Sequence, residues 1–355
     1  MLNLVKSPPP KIKNITELYE HLQVALEFEH STIPPYLVAM YTIKPGTNQE
    51  SLEIIRTVVV EEMLHMVLVA NVLNAIGGQP NIDHPNFIPD YPIEIPICQG
   101  DNKIEVHLRK FSPEAIDTFL AIEHASSIKP NPQIPREKPY SSIAEFYQTI
   151  KEALIYFADD NNYGQELFSG DQNRQISSEF YYNSGGSIIK VHSLETALQA
   201  LDLVIEQSHG GNQLPNGDNL DLSNQEEVSH YRRFYEIKKG RRFKPTDESD
   251  NNPTGPNFKV QWEDVYNMID NPKNINYPKD SEILKRSYEF NRGYTELIKT
   301  LHIALNGEPQ KLVSAVTHMF LMKDRAIELI KNPIPGMEGY HGGPSFQYMT
   351  EVNDI

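Results

Sequence analysis

Leu22, Leu26, Ile33 and Leu37 recur at the spacing of one helix face, and Glu29 falls among them on the same face. This stripe predicts a helix starting near Thr16, with Glu17 and Glu20 placed to meet its positive N-terminal end. Glu27 lies about 140° away on a wheel of roughly 100° per residue and points elsewhere. The pair Pro34–Pro35 is expected to kink or loosen the helix just beyond Glu29. After the turn KPGTNQ, a second long helix is predicted from about Gln49 to Ala75, closed by Gly77–Gly78. Val58, Glu62, His65, Val69 and Val72 form one stripe on it, so a carboxylate and an imidazole replace hydrophobes on the buried face. The short turn predicts antiparallel packing, with Glu29 and Glu62 at similar depth.

Residues 79–110 are Pro-rich and read as an irregular excursion or small hairpin, with PIEIPI and KIEVHL as strand-like pieces. Two shorter helices follow near Ser112–Glu123 and Ser141–Phe157, each with Ser at the N-cap. SIKPNPQIPREKP between them reads as a linker, and residues 159–192 as loop. A third long helix is predicted from Ser193 to about Gln207, with Leu194, Leu198, Leu201, Leu203 and Ile205 supplying its apolar side. A fourth begins after Ser223, where S-N-Q-E reads as a capping box, and runs to about Lys239. Beyond a linker around Trp262, helices are expected at Ser281–Leu305 and Glu308–Ile330. The fold class is therefore mainly all-α, a four-helix bundle with long irregular insertions and extra C-terminal helices. Residues 1–240 form the bundle, with an insertion at about 79–192; residues 241–355 form a linker, a helical hairpin and a tail packed on it.

Three Glu-x-x-His spacings carry the chemistry: Glu62–His65, Glu206–His209 and Glu227–His230. Positions i and i+3 share a helix face, so each pair can hold one metal ion. Burying a lone carboxylate costs several kcal/mol unless it is paired or bound to a metal, and Glu29 and Glu62 both lie on apolar stripes. The order Glu, Glu-x-x-His, Glu, Glu-x-x-His matches the ligand set of di-iron and di-manganese bundles. Glu29, Glu62, His65, Glu206, Glu227 and His230 are the expected ligands, with His209 a further candidate or a supporting group. Glu61 competes with Glu62, and Glu226 with Glu227. Tyr36, Tyr231 and Arg233 are assigned to packing or to support of the ligands, and His302, His318 and Asp324 to core or surface. The expected cofactor is iron, mono- or dinuclear, with manganese the alternative, because carboxylate and imidazole suit both.

Composition removes other classes. A net charge of −16 argues against nucleic acid and anionic membranes as partners. The single cysteine, Cys98, excludes an internal disulfide and thiolate metal sites, and suits a cytoplasmic location. MLNLVKSPPPK has no secretory h-region, and no uninterrupted apolar run reaches the roughly 18 residues of a membrane span. No phosphate-binding, dinucleotide or nucleophile-elbow motif is present. The expected partner is a small-molecule substrate; oligomeric state is left open.

The blocks LEFEHSTIPPYLVAMYTI, VVVEEMLHM and EEVSHYRRFYEI, with GGPSFQY near the end, resemble the ferritin-like domain of the iminophenyl-pyruvate dimer synthase family. The resemblance covers about residues 15–240 and implies a ferritin-like bundle with a carboxylate-rich metal site. It points to Glu29, Glu62, His65, Glu206 and His230. Where family members tend to read EQGEG, this chain has EQSHG, with His209 in place of an acidic residue. The implied activity is an iron- or manganese-dependent oxidation of a small aromatic amino-acid-derived metabolite in secondary metabolism. The alternative is a non-catalytic metal-binding or accessory protein of a biosynthetic cluster.

Overall fold

The structure, a computed structural model, describes residues 11–99, 102–123, 140, 142–159, 162–181, 186–209 and 228–350. Among these are eight α-helices and one two-stranded antiparallel sheet, β1 (Ile93–Gln99) with β2 (Asn102–Val106). Pairing slips between Ile95 and Cys98, where Pro96 has no N–H to give the ladder.

Helix α1 (Ile15–Thr42) begins one residue earlier than expected because Asn14 caps it, accepting from the Glu17 N–H at 2.9 Å. It runs unbroken through Pro34 and Pro35. Pro35 frees the carbonyl of Ser31, and the buried Tyr91 hydroxyl donates to that carbonyl at 2.7 Å. A neighbouring side chain thus replaces the missing intrahelical donor, and the helix continues past both prolines.

Helix α2 (Gln49–Ala75) lies antiparallel to α1: Glu29 meets His65, and Thr32, one turn on, meets Glu62, one turn back. An 18-residue window of α2 has mean hydropathy 1.5, long and apolar enough to cross a membrane by length and composition. Yet 89% of that window is buried inside the protein, as expected of a central helix enclosed on most sides. The sequence reading counted uninterrupted apolar runs and passed over α2, because Glu61, Glu62 and His65 interrupt it.

The opposite wall is built from short helices. α3 (Pro113–Glu123) packs on α6 (His230–Lys239), and α4 (Ile143–Phe157) packs on α5 (Leu194–His209) and α1. The Tyr36 ring of α1 sits edge-on to Phe119 of α3 (4.5 Å) and Phe234 of α6 (5.0 Å), fastening the three helices. Two of the wall helices therefore come from the stretch that the sequence pattern marked as insertion. Helix α6 starts later than predicted: Ser229 is the cap and residue 228 is non-helical, so the Ser223 capping box lies outside the described residues.

The hairpin of α7 (Glu282–Leu305) and α8 (Lys311–Ile330) packs on α1 and α2. Tyr294 Oη lies 2.6 Å from His30 Nε2, and Asn74 donates to the Leu305 carbonyl at 2.8 Å. The end of α2 is held by Gly170, whose N–H donates to the Ala75 carbonyl at 2.9 Å. A Cβ there would stand 2.0 Å from the Asn74 carbonyl oxygen. Gly170→Ala is expected to cost about 1–3 kcal/mol through overpacking. Urea unfolding should show a lower midpoint at constant slope; an unchanged midpoint would mean that the loop yields freely.

Candidate metal centre

Five buried side chains from four helices converge between the walls: Glu29 (α1), Glu62 and His65 (α2), Glu123 (α3) and His230 (α6). None is more than 2% exposed. They form two triads sharing Glu62, namely Glu29/Glu62/His65 and Glu62/Glu123/His230, with the ligand atoms of each triad within 4.8 Å of one another. Glu62 presents one oxygen to each side: Oε1 lies 2.9 Å from His230 Nδ1, and Oε2 lies 3.8 Å from His65 Nδ1. Glu29 Oε2 lies 3.2 Å from His65 Nδ1, and Glu123 Oε2 3.5 Å from His230 Nδ1. The two imidazoles lie nearly parallel, ring centroids 5.5 Å apart.

A second layer sets each ligand. His65 Nε2 lies 3.0 Å from Gln207 Oε1, and His230 Nε2 lies 2.8 Å from Glu61 Oε2. Both acceptors call for the hydrogen on Nε2, which turns each Nδ1 lone pair inward. Arg233 clamps Glu61 with two hydrogen bonds, at 2.8 and 2.7 Å. Tyr147 donates to Glu29 Oε1, and Tyr36 to Glu123 Oε1 at 2.6 Å. Burial, then the neighbouring carboxylates, pushes both phenols well above their ordinary range, so they stay neutral donors. Thr32 Oγ1 lies 3.1 Å from Glu62 Oε2 and 2.8 Å from the Glu29 carbonyl.

One atom tests whether this cluster fits a cation. His230 Nδ1 is buried and makes no hydrogen bond, although Glu62 Oε1 is only 2.9 Å away. The distance permits a bond and the alignment does not. On the other side His65 Nδ1 does reach Glu29 Oε2, at 3.2 Å; a nitrogen and carboxylate oxygens gathered within 4.8 Å without pairing, as around His230, suit ligands of an ion. Carboxylate oxygens with imidazole nitrogens suit iron, manganese and similar divalent metals.

Without an ion the cluster holds protons. Burial pushes the Glu29 carboxyl up to about 7, partly offset by His65 and Tyr147. Burial alone would lower His65, but Glu29 and Glu62 outweigh it and raise the imidazole to about 10. Burial also raises Glu123. Protons on these groups compete with a cation, so affinity should strengthen as pH climbs through 7. Burial would lower His230 too, but Glu123, Glu61 and Glu62 raise it well above its ordinary range, so at pH 7 metal uptake is expected to release ~2–3 protons per protein. Calorimetry in two buffers of different ionisation enthalpy would show it; identical heats in both would rule it out.

Glu29, Glu62, His65 and His230 are brought together, and Glu61 is separated from Glu62 to stand behind His230. Glu206 is exposed and is not brought to the cluster; its neighbour Gln207 is buried and reaches His65. Glu226 and Glu227 lie outside the described residues, as does the side chain of His209. The sequence reading missed Glu123, Tyr147 and Gln207. Glu123 was findable: it continues the Ile116, Phe119, Leu120 stripe of α3, the same signal that exposed Glu29.

No curated protein matches the chain. A solved structure, a ferritin like protein from Caulobacter vibrioides at 1.95 Å resolution, is similar with a TM-score of 0.62 and 18% identity. The similarity covers 96% of this chain and 100% of that one, and it speaks for the fold alone. The ferritin-like family model matches residues 22–239, the span that contains all five clustered side chains. Placed by that match and by its helical bundle, this chain belongs to the ferritin-like family.

Proposed function

We propose that the protein is a dinuclear iron or manganese oxidoreductase acting on a small aromatic amino-acid-derived metabolite. The observation that carries the metal reading is the buried, unbonded His230 Nδ1 facing Glu62 and Glu123. Glu29, Glu62 and His65 would hold one ion, and Glu62, Glu123 and His230 the other. When bound, such a pair supplies redox and Lewis-acid chemistry. The chain's own residues do the rest. The near-complete burial of the ligands excludes bulk water, and Tyr36 and Tyr147 hold Glu123 and Glu29 by neutral hydrogen bonds. The substrate class rests on the resemblance of LEFEHSTIPPYLVAMYTI, VVVEEMLHM and EEVSHYRRFYEI to iminophenyl-pyruvate dimer synthases.

Elemental analysis of untagged protein is expected to find about two equivalents of iron or manganese, falling to about one in His65→Ala and in His230→Ala, each of which serves a single triad. Metal-loaded protein should then consume O₂ with an indole-pyruvate imine. Products that are identical with and without O₂ would reject the oxidative reading, and no stoichiometric metal after reconstitution would reject the metal reading. Burial of all five ligands to within 2% exposure also favours a second reading, a metal-binding accessory protein without turnover.

A further inference from the structure

The two triads are alike in their ligands and unlike in what stands behind them. Each contains Glu62, one further glutamate held by a tyrosine, and one histidine presenting Nδ1. The difference in charge lies on the far side of the imidazoles. His230 Nε2 faces the Glu61 carboxylate, which is gripped by both arms of Arg233, whereas His65 Nε2 faces the neutral carboxamide of Gln207. A carboxylate draws on the Nε2 hydrogen more strongly than an amide, and so leaves more electron density at Nδ1 to give to an ion. Arg233 is 2% exposed and Glu61 1%, so water does not blunt this effect.

The geometry points to an unequal pair: the Glu62/Glu123/His230 half-site takes a divalent ion first and keeps it, and the Glu29/Glu62/His65 half-site fills second and exchanges. Glu61, Arg233 and Gln207 are positioning residues in this scheme. It rests on the metal-binding reading above, and the test separates the two.

Metal-free full-length protein is titrated with Mn²⁺ by calorimetry, with electron paramagnetic resonance on samples at one and two equivalents. Two steps are expected, the first at least ~10-fold tighter. A mononuclear signal at one equivalent should give way to a coupled signal at two. His230→Ala should remove the tight step and His65→Ala the weak one. Removing one partner of a buried ion pair endangers folding, so the charge pair is replaced as a whole. The double variant E61Q/R233Q is expected to weaken the first step by roughly 10–100-fold and to leave the second within a few-fold. Equal affinities in the wild type, or a first step untouched by the double variant, would overturn the inequality while leaving metal binding intact. Absence of any Mn²⁺ binding by folded wild-type protein would overturn both.

Discussion

Glu62→Gln is expected to strip both ions from the protein, the largest single effect available in this cluster. Each other ligand serves one triad, but Glu62 offers Oε1 toward His230 and Oε2 toward His65. An amide supplies one weaker oxygen where two anionic ones are needed. Losing a group that merely supports a ligand costs about 10–100-fold in affinity, so losing a shared ligand should exceed ~100-fold for each ion. Dialysed Glu62→Gln should retain no stoichiometric metal while keeping its helical circular dichroism. Two retained equivalents would show that Glu62 does not bridge, and that the triads bind independently of it.

Arg233→Met should bring the largest loss of stability. Glu61 is buried at the heart of the molecule, where burial drives its carboxyl up, yet His230 and Arg233 together hold it below the usual range. A depressed carboxyl contributes stability that is present above its unfolded value and is lost as pH falls through its folded one. Removing the guanidinium leaves a buried carboxylate with His230 as its remaining partner in place of two, and breaking such a buried pair costs about 3–5 kcal/mol. Urea unfolding at pH 7 measures it. The double replacement Glu61→Gln with Arg233→Met should recover most of the loss, because no lone charge remains. A single variant as stable as the wild type would mean that Glu61 finds another partner or sheds its charge.

Much of the site could be read from the chain wherever a polar residue interrupts an apolar stripe. Glu29 among leucines and Glu62–His65 among valines were visible for that reason. On α5 the Glu-x-x-His spacing, not an apolar stripe, put Glu206 forward, and of the leucines assigned to its apolar side only Leu201 is fully buried. Leu198 is half-buried, while Ala197, Ala200, Leu201 and Val204 are fully buried, and that stripe continues to Gln207, not Glu206. Spacing to a histidine says nothing about which face is buried, and Gln207, one position or about 100° of rotation from Glu206, is the residue on the buried stripe. Glu123 was visible as a carboxylate on an apolar stripe, but its place in the bundle wall was not. Its helix lies between Pro-rich segments that read as an insertion, and only tertiary packing against Tyr36 and Phe234 makes it part of the bundle wall. The unbroken course of α1 through two prolines was equally beyond local rules, since the rescuing donor, Tyr91, comes from a distant loop.

The spacing of the ligands along the chain bears on when the protein can acquire metal in a cell. Synthesis proceeds from the N-terminus, and domains fold as they emerge. Glu29, Glu62 and His65 all lie on the α1–α2 hairpin and leave the ribosome together, whereas the second triad waits for Glu123 and finally for His230 on α6. A nascent chain thus displays one set of three ligands before the wall that buries and orients them exists, and the second set is completed only once α6 has emerged. Ions picked up early by the hairpin would be held in an open, solvated setting, so lasting occupancy belongs to the chain folded through α6.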